Sequence, residues 1–460
     1  MPSRLRHTIK VRMSGRYWIL AALITLPVGV AGERSAGSVI DPAFAKIPLD
    51  QWLAERDQSH FQWNGRVAAV ELASSQRLLA RVEIQLDGNE LVRRQAHGAL
   101  VFFVQFSDSD HRLYQSHGVM RLKDVTDAAA KSNFIYAQPA LVVPGDYRVD
   151  LAVLDVGTGE HAAVERTLHV PPLKGDPLPD SWNGLPPVEF AVVADPPDGW
   201  FQPALNGRLH LPLETRRPVR VEVMVNASPS ANGPRVRATG LNNQNLGDLL
   251  PAVKVISQMD LSPGALNVSL VDLTRRQVLF TQEHVGPRGQ PLDWPRMRPA
   301  LSQADPNKID VRELAERNQN PQFFLEEVRR RIDNQTVPPG GPEKDSAAEP
   351  GLALVVLSGP TAFGPGADLR PIQLAERSRA KVFYIRYHPR PVRTLDAEPL
   401  RRRPGRRFGY PQPQAGMVPA ELPDTLAPLL KPLQPRVFDV YNPEQFRRAL
   451  ADVMKDLARL

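Results

Sequence analysis

Seven short extended runs between Arg66 and Val170, each closed by turn residues, constrain the fold of this chain more than any other feature. They are Val67–Leu72, Leu79–Gln85, Ala99–Phe106, Gly118–Leu122, Asn133–Val142, Tyr147–Val153 and Ala162–Val170. Short strands at this spacing, punctuated by turn residues, predict a β-sandwich over residues 55–171. After the turn Val143-Pro144-Gly145, the residues Tyr147, Val149 and Leu151 alternate with polar ones, as a strand with one buried face requires. Gly157-Thr158-Gly159 then closes a hairpin onto the last run.

Pro171, Pro172, Pro177, Pro179, Pro186 and Pro187 crowd the next stretch, and residues 172–187 read as a semi-rigid linker. The chain has 46 prolines in 460 residues, about twice the usual frequency, which fits long ordered connections between extended elements. Beyond the linker the pattern changes. Val219–Val225 is an unbroken strand, and Leu246, Leu249, Leu250, Val253 and Ile256 follow at helical spacing, so residues 188–460 predict α/β construction. Leu266–Leu273 and Gln277–Gln282 form a hairpin around Thr274-Arg275-Arg276, and Val311–Ile332 is a long amphipathic helical region. Leu352–Leu357, Lys381–Tyr387 and Arg436–Val440 are further strands. Asn442 as N-cap, Pro443 at the first helical position and Glu444 in the first turn open a terminal helix. Residues 334–350 and 388–435 are low-complexity insertions.

Arg4, Arg6, Lys10, Arg12 and Arg16 precede an apolar run from Tyr17 to Ala31, with no acidic residue before Glu33. Residues 1–32 therefore read as a secretory leader, cut after Ala31 or Gly32. The run is short of the ~20 residues that span a bilayer comfortably and contains Pro27 and Gly29. The alternative is an uncleaved anchor; either way the bulk of the chain is expected to be exported to the periplasm, the cell surface or the medium. Without those five cations the net charge of +7 falls to about +2, so the basic balance belongs mostly to the leader and does not argue for a nucleic-acid partner. The absence of Cys excludes disulfides, thiolate metal sites and a Cys nucleophile.

The Gly145-Asp146-Tyr147 entry to a late strand resembles immunoglobulin-like domains. The order of elements over Val219–Leu460 resembles the von Willebrand factor A-like fold, and more narrowly bacterial proteins with a VWFA-related domain. The segments Arg217–Asn226, Leu266–Leu273, Leu352–Ser358 and the terminal helix carry this resemblance. The fold class it implies is α+β multidomain: an immunoglobulin-like β-sandwich followed by a von Willebrand factor A-like three-layer α/β domain. Such domains hold a divalent metal where Asp-x-Ser-x-Ser leaves the first strand, with a Thr before a later helix and an Asp after the fourth strand. Here Asn226-Ala227-Ser228-Pro229-Ser230 matches the first motif with Asn for Asp, Gly359 stands where the second Asp would be, and Asn320 falls near the Thr position. Both expected carboxylates are missing, and a hard divalent ion is normally held by one or two of them. The expectation is a degenerate site with no metal and no cofactor. Asn226, Ser228, Ser230 and Asn320 then either satisfy the strand-to-helix loop or line a metal-free ligand crevice, since open α/β sheets bind ligands outside the carboxyl ends of their strands.

Zinc, acyl-transfer, phosphate-loop and dinucleotide motifs do not occur. Asp108-Ser109-Asp110 reads as a polar hairpin turn, and His111 and His117 as surface residues of that hairpin. Trp200 and Phe201, next to the linker, read as residues that pack between the domains, with a ligand-facing role as the alternative. Arg390–Arg407 holds seven arginines against Asp396 and Glu398; Arg401, Arg402, Arg403, Arg406 and Arg407 are either a contact for an acidic partner or a solvated loop. The chain is thus expected to be an exported, non-enzymatic interaction module, possessing an adhesin-like or spacer sandwich and a protein or envelope-polymer partner. The alternatives are an envelope assembly or chaperone component using the Arg-rich loop, and a hydrolase acting on envelope polymers.

Overall fold

The computed structural model describes residues 39–55, 61–191, 207–228, 244–303, 316–333, 350–363, 367, 369–370, 380–388 and 424–460. Residues 1–32, expected as a leader, and Ser230, Trp200, Phe201 and the arginines at 401–407 lie outside the described residues. The fold is mixed α and β and mostly sheet, with seven α-helices among the described residues. Contacts divide it into two compact units, one containing Arg77–Asp176 and Trp182–Asp198, the other Gly199–Leu460, in their described parts.

The first unit has nine strands: β1 Trp63–Val67, β2 Glu71–Leu72, β3 Leu78–Asp87, β4 Ala99–Ser107, β5 Leu113–Arg121, β6 Asn133–Val142, β7 Gly145–Asp155, β8 His161–Val170 and β9 Val188–Phe190. They form two antiparallel sheets, one ordered β1-β3-β6-β9 with β2 paired to β3, the other β5-β4-β7-β8. Phe102 of β4 stacks on Tyr136 of β6 at 4.7 Å, and Phe106 of β4 meets Phe190 of β9 edge-on at 5.8 Å. The two sheets therefore face each other across an aromatic core. Gly118 permits the approach, because a Cβ there would lie 2.5 Å from the Tyr136 ring. Residues 39–55, including helix α1 Leu49–Ala54, cover the outside of the second sheet, where Phe44, Leu49, Trp52 and Leu53 pack on Phe103, Ala152 and Ala163. A second short helix, α2 Gly88–Arg93, follows β3.

Several sequence expectations are corrected here. Val67–Leu72 is not one strand: residues 68–70 break it between β1 and β2. The run expected at Gly118–Leu122 starts five residues earlier, because Tyr114 and Gln115 are buried beneath a polar hairpin. Val188 does not open the second domain; Val188–Phe190 pairs antiparallel with Ala140–Val142 in the first unit. The stretch expected as a linker forms a 3-10 turn at Pro179–Trp182, with Ser181 and Trp182 buried. His111 sits in the hairpin turn at φ 59°, while His117 reaches Asp41 at 2.5 Å.

The second unit holds β10 Leu211–Asn226, α3 Gln244–Ile256, β11 Met259–Asp272, β12 Gln277–Gln282, α4 Trp294–Gln303, α5 Asn320–Asp333, β13 Gly351–Ser358, β14 Lys381–Tyr387, α6 Leu426–Leu430, β15 Arg436–Val440 and α7 Pro443–Leu457. The sheet order is β12-β11-β10-β13-β14-β15, parallel throughout except for edge strand β12. Met224, Leu354, Val356, Val382 and Tyr384 bury one face under Phe324 and Val328 of α5 and Leu426 and Leu429 of α6. The alternate residues Val223, Val225, Val355, Leu357, Phe383 and Ile385 are equally buried; on that parity Tyr387 meets Phe446 of α7 at 5.7 Å. Burial on both faces is why β13 and β14 read as near-continuous apolar runs.

Here too the sequence expectations shift. Residues 311–315 lie outside the description, and the helix begins only at Asn320, after a 3-10 turn at Arg317–Gln319. The insertion expected over 388–435 ends sooner, because α6 within it supplies three core leucines. Helix α4, which carries Pro295 and Pro299, was not expected at all. Among the described residues no helix is long and apolar enough to cross a membrane.

Candidate functional site

In a parallel sheet the strands end together, and here Asn226, Asp272, Ser358, Tyr387 and Val440 finish β10, β11, β13, β14 and β15 at one edge. Asn226 is buried, and its side chain joins two strand exits. Its Nδ2 donates to Ser358 Oγ at 2.9 Å and to Thr361 Oγ1 at 3.0 Å, while its Oδ1 accepts from Ser228 N at 3.1 Å. Both hydroxyls donate onward to the Gly359 carbonyl, at 2.6 and 3.1 Å, so each is left with a lone pair for the amide. Ser228 Oγ accepts from Leu273 N at 2.6 Å, tying the exit of β10 to that of β11.

Asn320 is placed elsewhere along this edge. It is buried as the first residue of α5, and its Oδ1 accepts from Arg276 Nη1 at 3.4 Å. Arg276 follows the β11 exit and also pairs with Glu316. The structure thus brings Asn226 and Ser228 together and sets Asn320 beside the β11–β12 hairpin.

Asp424, which the sequence did not single out, is the carboxylate bonded to the loop after β13. Its Oδ1 accepts from Thr361 N at 3.2 Å and Tyr384 OH at 3.2 Å, and its Oδ2 from Arg386 Nη1 at 3.1 Å. Arg386 also donates to Asp439 Oδ1 at 2.6 Å, which His388 Nε2 reaches at 2.6 Å, and the His388 ring stacks on Tyr441 at 4.1 Å. Burial pushes the Tyr384 hydroxyl well above the ordinary phenol range, with the Asp424 charge adding to it. Burial works to raise the Asp439 carboxyl, yet the hydrogen bonds from Arg386 and His388 outweigh it and hold the group below the usual carboxylate range. The Arg386 guanidinium is held firmly in its charged form by its bond to Asp439, against partial burial. The signal for Asp424 was present: Asp424-Thr425 stands directly before Leu426, Leu429 and Leu430, a helix-start pattern.

This donor set does not suit the divalent cation that the resemblance implies. Asn226 turns donors, not acceptors, toward Ser358 and Thr361, Ser228 Oγ is turned to Leu273 N, and the Asp424 charge is matched by Arg386. A hard cation needs oxygen lone pairs and carboxylate charge together. Among the described residues no group of three or more His, Cys, Asp or Glu side chains is arranged to hold a metal. What the arrangement does chemically is lock five strand exits to one another. In comparison with known proteins, the chain matches no family model and no curated protein sequence.

Proposed function

We propose that the chain is an exported, non-enzymatic interaction protein, with an immunoglobulin-like spacer or adhesin-like unit followed by a von Willebrand factor A-like domain whose sheet edge recognises a partner without a metal. The observation that carries this reading is the inward turn of the Asn226 amide: atoms that would hold a cation are spent on joining β10 to the loop after β13. The parallel sheet with one antiparallel edge strand supports the A-like assignment. In the first unit Tyr147 OH donates to Val143 O at 2.9 Å, four residues upstream. That bond is like the one made by the tyrosine corner of immunoglobulin-like sandwiches and supports the assignment.

The composition of the segments that leave this edge supports an acidic partner. The chain departs from Ser228 into residues 229–243 and from His388 into residues 389–423, which together hold nine arginines, no lysine and three carboxylates. Guanidinium groups pair bidentately with carboxylates and phosphates where lysine offers a point charge. Arg401, Arg402, Arg403, Arg406 and Arg407 are the proposed contacts, to an acidic protein or envelope polymer. A photo-crosslinking residue at Tyr441, 48% exposed at this edge, tests the reading against one at Glu214, near the opposite end of β10. Discrete adducts in intact cells from the first position alone, lost when the five arginines become glutamates, are expected. Equal labelling from both positions, or adducts indifferent to the charge reversal, would overturn it.

A further inference from the structure

At one end of the first unit a recess of about 220 Å³ opens between α2, the end of β5 and the start of β6. Its apolar walls are Leu91, Met120, Ala129 and Phe134, with Asp124 and Ser132 among the polar residues bordering it. Leu91, Met120 and Ala129 are no more than 7% exposed, so the floor of the recess lies on the core, while Asp124, Thr126, Ser132, Asn133 and Ile135 form an exposed rim. Its walls are tied in place by polar contacts independent of anything that fills it. A Cβ on Gly88 would lie 1.9 Å from Ala129 O, so α2 abuts the Asp127–Lys131 turn as closely as backbone allows. Ser132 N bonds Ala129 O at 3.0 Å, and Gln95 Nε2 bonds Val125 O at 2.6 Å.

Size and wall chemistry narrow the occupant. The volume exceeds the ~150 Å³ apolar cavity that accepts benzene, and is below the ~300 Å³ at which pockets for drug-sized ligands begin. One or two fused rings fit that interval. The thioether of Met120 favours an aromatic partner, and Phe134, already stacked on Phe102 at 5.8 Å, extends an aromatic wall. A carboxylate and a hydroxyl at the border suit a ligand with a hydrogen-bonding group at one end. We propose that this recess is a binding site for a small, indole-sized aromatic compound bearing one polar group, independent of the recognition edge on the second unit.

The test uses the full chain labelled at its methionine methyl groups and titrated with indole, with cyclohexanol as a polar non-aromatic ring of comparable reach. Indole is expected to move the Met120 methyl signal saturably and to leave Met224 and Met259, buried in the second unit, unmoved. Cyclohexanol should bind at least about tenfold more weakly, a difference of about 1.4 kcal/mol. Ala129→Met, which fills the recess, should weaken indole by a similar factor. Leu91→Ala, which enlarges it, should shift preference toward 2-naphthol and keeps the proposal testable if the first variant does not fold. A Met120 signal indifferent to indole, equal binding of cyclohexanol, or a folded Ala129→Met chain that binds indole as before would each overturn the assignment.

Discussion

Asn226 holds its place through its two amide hydrogens, and the consequences of changing it follow from that. Asn226→Asp removes the donors to Ser358 Oγ and Thr361 Oγ1 and places a charge in a buried setting, although both hydroxyls can turn from Gly359 O toward the new carboxylate. Leaving the Gly359 carbonyl unserved costs about 1–3 kcal/mol. Desolvation raises the folded pKa of the introduced carboxyl above its unfolded value of about 3.9. The native state then binds its proton more tightly, so the deficit against wild type is smallest below pH ~4 and grows as pH rises toward the folded value. Urea unfolding at pH 4 and pH 7 measures this; a deficit independent of pH would mean that the introduced carboxyl is not desolvated in the folded chain. The wild-type chain should also show no melting shift with millimolar Mg²⁺ or with EDTA, whereas a site of micromolar Kd would add about 4 kcal/mol. A shift of several degrees, abolished by Ser228→Ala, would establish a working metal site. The doubly changed Asn226→Asp, Gly359→Asp chain is the variant in which metal stabilisation should begin to appear.

At the scale of elements, edge strand β15 depends on charge more than on apolar burial. Arg436 bonds Asp456 at 2.9 Å and Asp452 at 2.5 Å of α7, and Lys381 of β14 reaches Asp456 at 3.3 Å. Burial works to raise Asp456, but the bonds from Arg436 and Lys381 hold it below the usual carboxylate range, as Arg386 and His388 do for Asp439. Both folded values lie below the unfolded ones, so this stabilisation is present above pH ~4 and is lost as pH falls through the folded values. Amide exchange in β15 should accelerate on acidification before that in β13. Asp456→Asn should cost on the order of 1 kcal/mol at pH 7, since Arg436 is partly exposed, and flatten the acid response; an unchanged response would place the acid sensitivity elsewhere. Elements with their own punctuation were legible in the sequence. β14 has the bounds read from its apolar run, and α7 starts where Asn442 Oδ1 accepts from Gln445 N at 2.9 Å. The first half of β11 was hidden because Ser262-Pro263-Gly264 reads as a turn, and α6 because it sits in a proline-rich stretch. In the site, Asn226 and Ser228 were legible as a contiguous motif. The pairing of Thr361 with Asp424 was not, since the two meet across 63 residues of chain; the local pattern marks Asp424 as a helix start and says nothing of its partner.

At the scale of the molecule, the cations of residues 1–32, 229–243 and 389–423 leave the rest of the chain with a net charge of about −4, which fits the proposed recognition of an acidic partner by the latter two segments. Mass analysis of the mature protein should find it beginning after Ala31 or Gly32; retention of Met1 would instead make it an anchored protein. The first unit should also fold without the second. All nine of its strands pair with one another, the longest in unbroken ladders of eight to ten residues such as Leu78–Asp87 against Asn133–Val142. Its core of Phe102, Phe106, Val104, Leu100, Val149, Leu151 and Ile84 is at most 1% exposed, and its outer sheet face is already covered by residues 44–53 of the same unit. A domain of about 150 residues buries about 68–70% of the surface its unfolded chain exposes, enough for independent stability. A chain of residues 33–198 should therefore unfold in urea as one cooperative transition, coincident by far-ultraviolet circular dichroism and by tryptophan fluorescence. Non-coincident curves, or a sloping loss of signal with no transition, would mean that the sandwich draws its order from the remainder of the chain.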